Sequence, residues 1–280
     1  MQYEQHLRKF QQFCDKRNVN YLEATVKDGI TYLAEYYDTG VKYSAMNTAR
    51  SALSTLIPTS TGTFGEHPVV CRLLKGTFNS RPSLPRYTTT WDVGSMLTFI
   101  ESMGPLEGNG LKYVTLRSTM LLCITVGQRD EYLKYISLDN IRFEENGDMW
   151  IYVPVLLKTS KPGRHYPPIL FKPYTNPQIC VIKHIRHYID RTKELRKNKN
   201  YLFLSHVKPH KPVTITTISR WCTEMMQMAG IDVNIFASHS TRSAAASSMR
   251  QRGLSLKQIC KAGGWSNAKT FHKFCSKLIV

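Results

Sequence analysis

The chain has 280 residues, 42% hydrophobic and 21% charged, which excludes disorder throughout and fits one large or two ordinary globular domains. Lysine and arginine number 38 against 20 aspartate and glutamate, a net charge of +18. An excess of that size points to a polyanionic partner, nucleic acid ahead of an anionic membrane surface.

The charge is uneven along the chain. Residues 1–85 carry 10 basic and 7 acidic side chains, residues 86–280 carry 28 and 13, and from Val233 onward eight bases meet no acid. No apolar run approaches the ~20 residues that span a bilayer. The opening MQYEQHLRKFQQFC lacks the apolar core of a signal peptide, so an intracellular protein is expected. Seven cysteines (Cys14, Cys71, Cys123, Cys180, Cys222, Cys260 and Cys275) include no C-x-x-C pair. That spacing describes neither a disulfide framework nor a zinc cluster, and a reducing compartment fits it.

In chain order, Leu7, Phe10, Phe13 and Cys14 fall at helical spacing. TVKDGITYLAEYY repeats the pattern behind Thr25, with Asp28 placed for a capping box. SAMNTARSALSTLI predicts a third helix, capped by Ser44 and stopped by Pro58. PVVCRLLKGTFNSR predicts a fourth after a glycine-rich loop. These make residues 1–82 a small helical bundle. Pro82 and Pro85 break helix in SRPSLPRYTTTW, so residues 83–88 read as a linker and 89–280 as a second domain.

The second domain opens with helices in WDVGSMLTFIESM and LRSTMLLCITVG, the latter apolar enough to be buried. IRFEENGDMWIYVPV alternates about an Asn-Gly turn and predicts a hairpin. HYPPILFKPY adds a third strand. Helices return in PQICVIKHIRHYIDRT, in TITTISRWCTEMMQMAG with Gly230 as its C-cap, in HSTRSAAASSMRQRG, in SLKQICKAGG and in SNAKTFHKFCSK. The fold class is mainly α with a small antiparallel sheet, in two domains.

Three spots call for a chemical reading. Arg129 in TVGQRDEYL follows a buried helix and a glycine; a helix-end ion pair with Asp130 or Glu131 would explain it too. His239 and Arg242 in HSTR stand at i, i+3 on one helix face; a helix start capped by Ser238 is the plain alternative. Lys158 in VPVLLKTSKPG ends the second hairpin strand, where solvated bases are common.

Their order is more specific than any one of them. An arginine, a hairpin lysine, His-x-x-Arg, Gly-Trp and a last helix with a nucleophile position together resemble the tyrosine recombinase, or phage-integrase-like, family. The resemblance runs through nearly the whole chain. GQR…LDNI, LLKTSKPG, HSTRSAAASS and GGWS…TFHKF look closest to the recombinases of eukaryotic mobile elements of the DIRS, Ngaro and Crypton kind.

That resemblance implies an N-terminal SAM-like core-binding domain and a catalytic domain closing on duplex DNA as a C-shaped clamp. It implies four protomers on two duplexes, DNA strand transfer with neither cofactor nor metal, and a nuclear location in a eukaryotic host. A tyrosine hydroxyl attacks a phosphodiester, giving a 3′-phosphotyrosine and a free 5′-hydroxyl. Arg129 and Arg242 would clamp the non-bridging oxygens and Lys158 would protonate the leaving 5′-oxygen. His239 would orient or relay a proton, and Trp265 would donate its indole N–H. Further phosphate contacts are expected from Lys161, Arg164, Lys269 and Lys273.

One position departs from the family. Cys275 stands where the tyrosine belongs, a one-residue register shift selects Phe274, and no tyrosine follows Tyr201. A thiol in a basic pocket ionises readily. Its sulfur nevertheless lies nearer the backbone than a phenolic oxygen, and phosphorus is a hard centre, so cleavage is expected to be lost. An introduced substitution and natural decay both account for it.

Two further readings cover some of the same residues. An RNA-binding module lacks its signature here, with no exposed aromatic pair expected on the sheet. A helix-turn-helix could be read in RQRGLSLKQICKAGGW around Gly253. Type IB topoisomerases share the chemistry but not the look of the N-terminal helices.

Overall fold

The computed structural model describes residues 3–82, 87–128, 130–157, 160, 167–265, 271 and 277–280. The chain divides into two units, Met1–Pro85 and Arg86–Val280. Residues 83–86 of the expected linker lie outside the described residues.

The first unit packs α1 (Glu4–Asp15), α2 (Val26–Asp38), α3 (Tyr43–Leu53) and α4 (Pro68–Ser80) around Phe10, Tyr32, Leu33, Met46, Leu53 and Phe64. Each helix turns one apolar stripe inward, the pattern that makes such a bundle cohere. The Thr25–Asp28 capping box forms with both reciprocal bonds. The expected Ser44 cap does not. α3 begins one residue before it, with Lys42 as an N-cap that makes no side-chain bond. A tertiary contact sets this start: the Tyr43 ring meets Phe78 edge-on at 5.2 Å, and the Tyr43 N–H donates to the Arg81 carbonyl.

The second unit starts with β1 (Thr89–Thr90), α5 (Val93–Ser102) and α6 (Leu111–Val126). From Val114 to Ile124 every residue of α6 is buried. It is the central helix, packed against α8 (Val181–Thr192), α9 (Ile215–Met228) and α10 (Ser240–Gln251). A five-residue helix, α7 (Asp130–Lys134), follows α6 and was not anticipated.

The expected hairpin is β2 (Ile141–Phe143) against β3 (Met149–Ile151), with Gly147 at φ +87° in the turn; β4 (Ile169–Phe171) completes an antiparallel sheet in the order β2-β3-β4. β3 stops at Ile151, shortly before Pro154, which has no N–H to continue a ladder. Lys158 therefore stands seven residues beyond that strand rather than at its end. Contrary to expectation, Trp150 and the following Tyr152 are both exposed. The turn beside them carries Glu144, Glu145 and Asp148, which repel a polyanion.

α11 (Leu256–Gly263) follows α10 through a turn with Gly253 at φ +84°. β5 (Leu278–Ile279) then pairs in parallel with β1. Among the described residues no helix is long and apolar enough to cross a membrane, and no His/Cys/Asp/Glu cluster could hold a metal ion. The six described cysteines are free, with the buried Cys123 and Cys222 sulfurs 3.4 Å apart between α6 and α9.

Candidate functional site

α10 begins where β1 ends. The buried Trp91 indole N–H donates to Ser240 Oγ at 2.8 Å and fixes the first helical residue. His239 holds the N-cap position and is exposed. Arg242 lies in the first turn and is only 3% exposed. Ala244, Ala245, Ala246 and Ser247 follow, small enough for α10 to pack closely on its neighbours.

Trp265 meets Arg242 from the far side. The guanidinium carbon sits 4.0 Å from the centre of the indole ring, a cation–π stack worth about 1–2 kcal/mol when desolvated. Two glycines place that ring. Gly264 takes the left-handed conformation (φ +66°) that ends α11, and Gly263 lets the ring lie on its backbone: a Cβ there would stand 1.7 Å from the indole. Phe271 closes the ring's other side edge-on at 5.6 Å, and Ala246 and Ile259 complete the cluster.

A buried arginine in a helix's first turn sits at the positive end of the helix dipole, where a cation is unfavourable and an anion favourable. Arg242 and the exposed His239 bring donors to this one helix end. This combination suits an oxyanion with several acceptor oxygens, a phosphate above all.

Sequence reasoning missed the ties around this centre. Gly127 caps α6 at φ +59°, and a Cβ on it would touch that of Ala245 on α10 at 3.7 Å. Gln128, 3% exposed, donates its amide to the Ala262 carbonyl at the end of α11. Asp130 accepts from Ser219 on α9. Lys277 donates its backbone N–H to Ser247 Oγ at 3.1 Å, and its ammonium donates to the Tyr87 carbonyl at 2.7 Å and lies over the Tyr87 ring.

Of the residues singled out from sequence, the structure brings Arg242 and Trp265 into contact and sets His239 at the end of the same helix. Arg129, Lys158, Lys161, Arg164, Lys269, Lys273 and Cys275 lie outside the described residues. In the chain, Gln128 and Asp130 flank Arg129, and Phe271 and Lys277 flank the segment with Cys275. Behind α10 a cavity of about 450 Å³ is walled by Leu97, Leu121, Ile124, Phe171 and Met249, with Lys172 and Arg252 also lining it.

Residues 87–277 match the phage integrase family, and residues 1–57 match its N-terminal SAM-like domain. Among curated proteins none matches the chain. Among solved structures, the XerH site-specific recombinase bound to palindromic difH substrate is similar over 97% of this chain and 75% of that one, at 16% identity and a TM-score of 0.66. A lambda integrase dimer bound to a COC′ core site covers 97% and 86%, at 17% identity and a TM-score of 0.57. The Tn1549 transposon integrase in complex with transposon right end DNA covers 98% and 89%, at 14% identity and a TM-score of 0.58. At these identities the likeness speaks for the fold, which is that of the tyrosine recombinases. With both of its domains matched in order, the chain belongs to the phage integrase family.

Proposed function

We propose that this protein is a site-specific DNA recombinase of the tyrosine-recombinase type that binds its DNA site but has lost the cleavage step with its nucleophile. The observation that carries this reading is Arg242, buried in the first turn of α10 and stacked on Trp265, with His239 exposed at the same helix end. The finer resemblance to recombinases of DIRS-, Ngaro- and Crypton-type elements, and a nuclear location in a eukaryotic host, belong to the same proposal.

The chemistry assigns each residue a task. In-line attack on a DNA phosphodiester makes a five-coordinate phosphorus with extra negative charge on its equatorial oxygens. Fixed donors that need no rearrangement stabilise that charge best. Arg242 is such a donor, because its stack on Trp265 and its burial hold the guanidinium plane, and Arg129 supplies the second fork. His239 orients the same phosphate, and the Trp265 indole N–H donates to one of its oxygens. Lys158 delivers the proton to the leaving 5′-oxygen as the P–O bond breaks. The energy of the broken bond is retained in the covalent intermediate, so neither ATP nor a metal is required. Cys275 leaves the phosphorus without its phenolic nucleophile.

Four protomers on two duplexes, each protomer a C-shaped clamp, would form the assembly in which strands exchange. A DNA-binding protein without catalysis, descended from such a recombinase, is the second reading, and Cys275 favours it for this chain. Both readings are separated by one experiment. With a site selected from bound DNA, a nicked suicide duplex is incubated with this chain and with Cys275→Tyr. An SDS-resistant adduct from the tyrosine variant alone is the expected result and means an intact site lacking only its nucleophile. Binding by both without any adduct supports the non-catalytic reading. An adduct from the unaltered chain overturns the assignment of Cys275.

A further inference from the structure

Three segments that carry site residues meet at Gly127 and Gln128. Gly127 turns the chain at the end of α6 and packs on Ala245, three residues after Arg242 on α10. Gln128 precedes Arg129 in the chain. Its side chain crosses to Ala262, 134 residues away in sequence and three residues before Trp265. The acceptor is not arbitrary. The last carbonyls of a helix have no intrahelical partner, and Ala262 is in the final turn of α11. Ala262 is half-buried, and the Gln128 amide, itself buried, donates to that carbonyl.

Helix packing alone does not call for this bond. An apolar side chain at 128 would fill the same space, yet it would leave the Ala262 carbonyl unmet and the two segments free to shift. Asp130, on the other side of Arg129, is tied to a different helix through Ser219. Of these two ties, that of Gln128 runs to the turn bearing Trp265.

We propose that Gln128 is a positioning residue for strand transfer, tying the turn after α6 to the end of α11 so that Trp265 is held in its stack on Arg242, where that guanidinium meets a phosphate. The proposal rests on the recombinase reading for its functional meaning, and on the Gln128–Ala262 bond for its structural content. Donors that must converge on a developing charge tolerate little displacement, whereas ground-state binding spread over many phosphates tolerates much.

The test uses the Cys275→Tyr chain and Gln128→Met, which keeps the volume and removes the donor. Single-turnover adduct formation on the nicked duplex is expected to slow about 10–100-fold while duplex Kd changes by less than about twofold. In a double-mutant cycle with Trp265→Phe, the two losses are expected to be strongly less than additive, because each loosens the same unit. Additive losses, or a fall in affinity equal to the fall in rate, overturn the proposal. If Cys275→Tyr forms no adduct, the recombinase reading fails and Trp265 emission decides, isolated as the difference from Trp265→Phe. A red shift of that emission in Gln128→Met supports the tie, and an unchanged spectrum overturns it.

Discussion

At Gly263 only a hydrogen atom separates the end of α11 from the indole of Trp265. A methyl group there would overlap the ring by a wide margin, with the nearest ring carbon 1.7 Å away. Gly263→Ala must therefore displace Trp265 from Arg242 or move the helix end, and overpacking of this kind costs about 1–3 kcal/mol. Urea unfolding should show that loss. Gly76→Ala is the control: Gly76 is exposed in α4 with nothing within 4 Å, so alanine there should add about 0.5–1 kcal/mol of stability through helix propensity. Arg242→Lys tests the other half of the stack. Lysine keeps the charge but loses the planar fork and its face-to-face contact, so the Cys275→Tyr chain carrying it should trap DNA at least about tenfold more slowly. An unchanged trapping rate would mean that charge alone suffices at this position. The residues of this stack were singled out through the order of HSTR and GGW within the family resemblance, since a helix start and a glycine pair taken alone left plainer readings open. Gln128 was not legible, since nothing near it in sequence announces a partner 134 residues away.

Among the elements, α6 and α8 pose the sharpest electrostatic problem. His184 on α8 is fully buried against α6, its Nδ1 bonded to the Cys180 carbonyl at 3.0 Å. Desolvation lowers its pKa to about 4, with Arg117, His187 and Lys183 opposing the charged form further. The unfolded chain takes up a proton near pH 6.5 that the folded chain refuses until about pH 4. Stability should therefore be intact above pH 6.5, fall as pH drops across that window, and lose at most about 3 kcal/mol to this group. His184→Leu should flatten the profile by that amount between pH 6.5 and 4, measured as the difference between two denaturation series. A profile unchanged by the substitution would place the acid sensitivity elsewhere. The elements themselves were readable where the signal is local: the Thr25–Asp28 box, the Gly127 stop of α6 and the Asn-Gly hairpin all form. Three features escaped for physical reasons. α7 is too short to show a period, the start of α3 is set by the Tyr43–Phe78 contact, and β1 meets β5 only because the whole second unit folds between them.

At the scale of the whole molecule the charge distribution makes its own demand. The second unit, which holds Arg242 and Trp265, carries most of the net positive charge, and its last 48 residues contain bases and no acids. Ion pairs such as Arg8–Glu4, Arg17–Glu35, Lys112–Glu224 and Arg142–Glu144 join residues of the earlier, mixed-sign part of the chain. A surface of this kind binds a duplex chiefly by releasing counterions from its phosphates. If six or more phosphates are neutralised, affinity should fall by on the order of a thousandfold or more between 50 and 200 mM salt. Fluorescence anisotropy of a labelled duplex measures this directly, as the slope of log Kd against log salt. Arg250→Gln together with Arg252→Gln, both at the end of α10 away from the Trp265 stack, separates general attraction from the site. If those bases belong to the phosphate-binding surface, the slope should drop by up to about two while adduct formation at saturating DNA in the Cys275→Tyr background is unchanged. A Kd insensitive to salt would remove the clamp from the account and leave the Arg242 site as an anion pocket without a duplex around it.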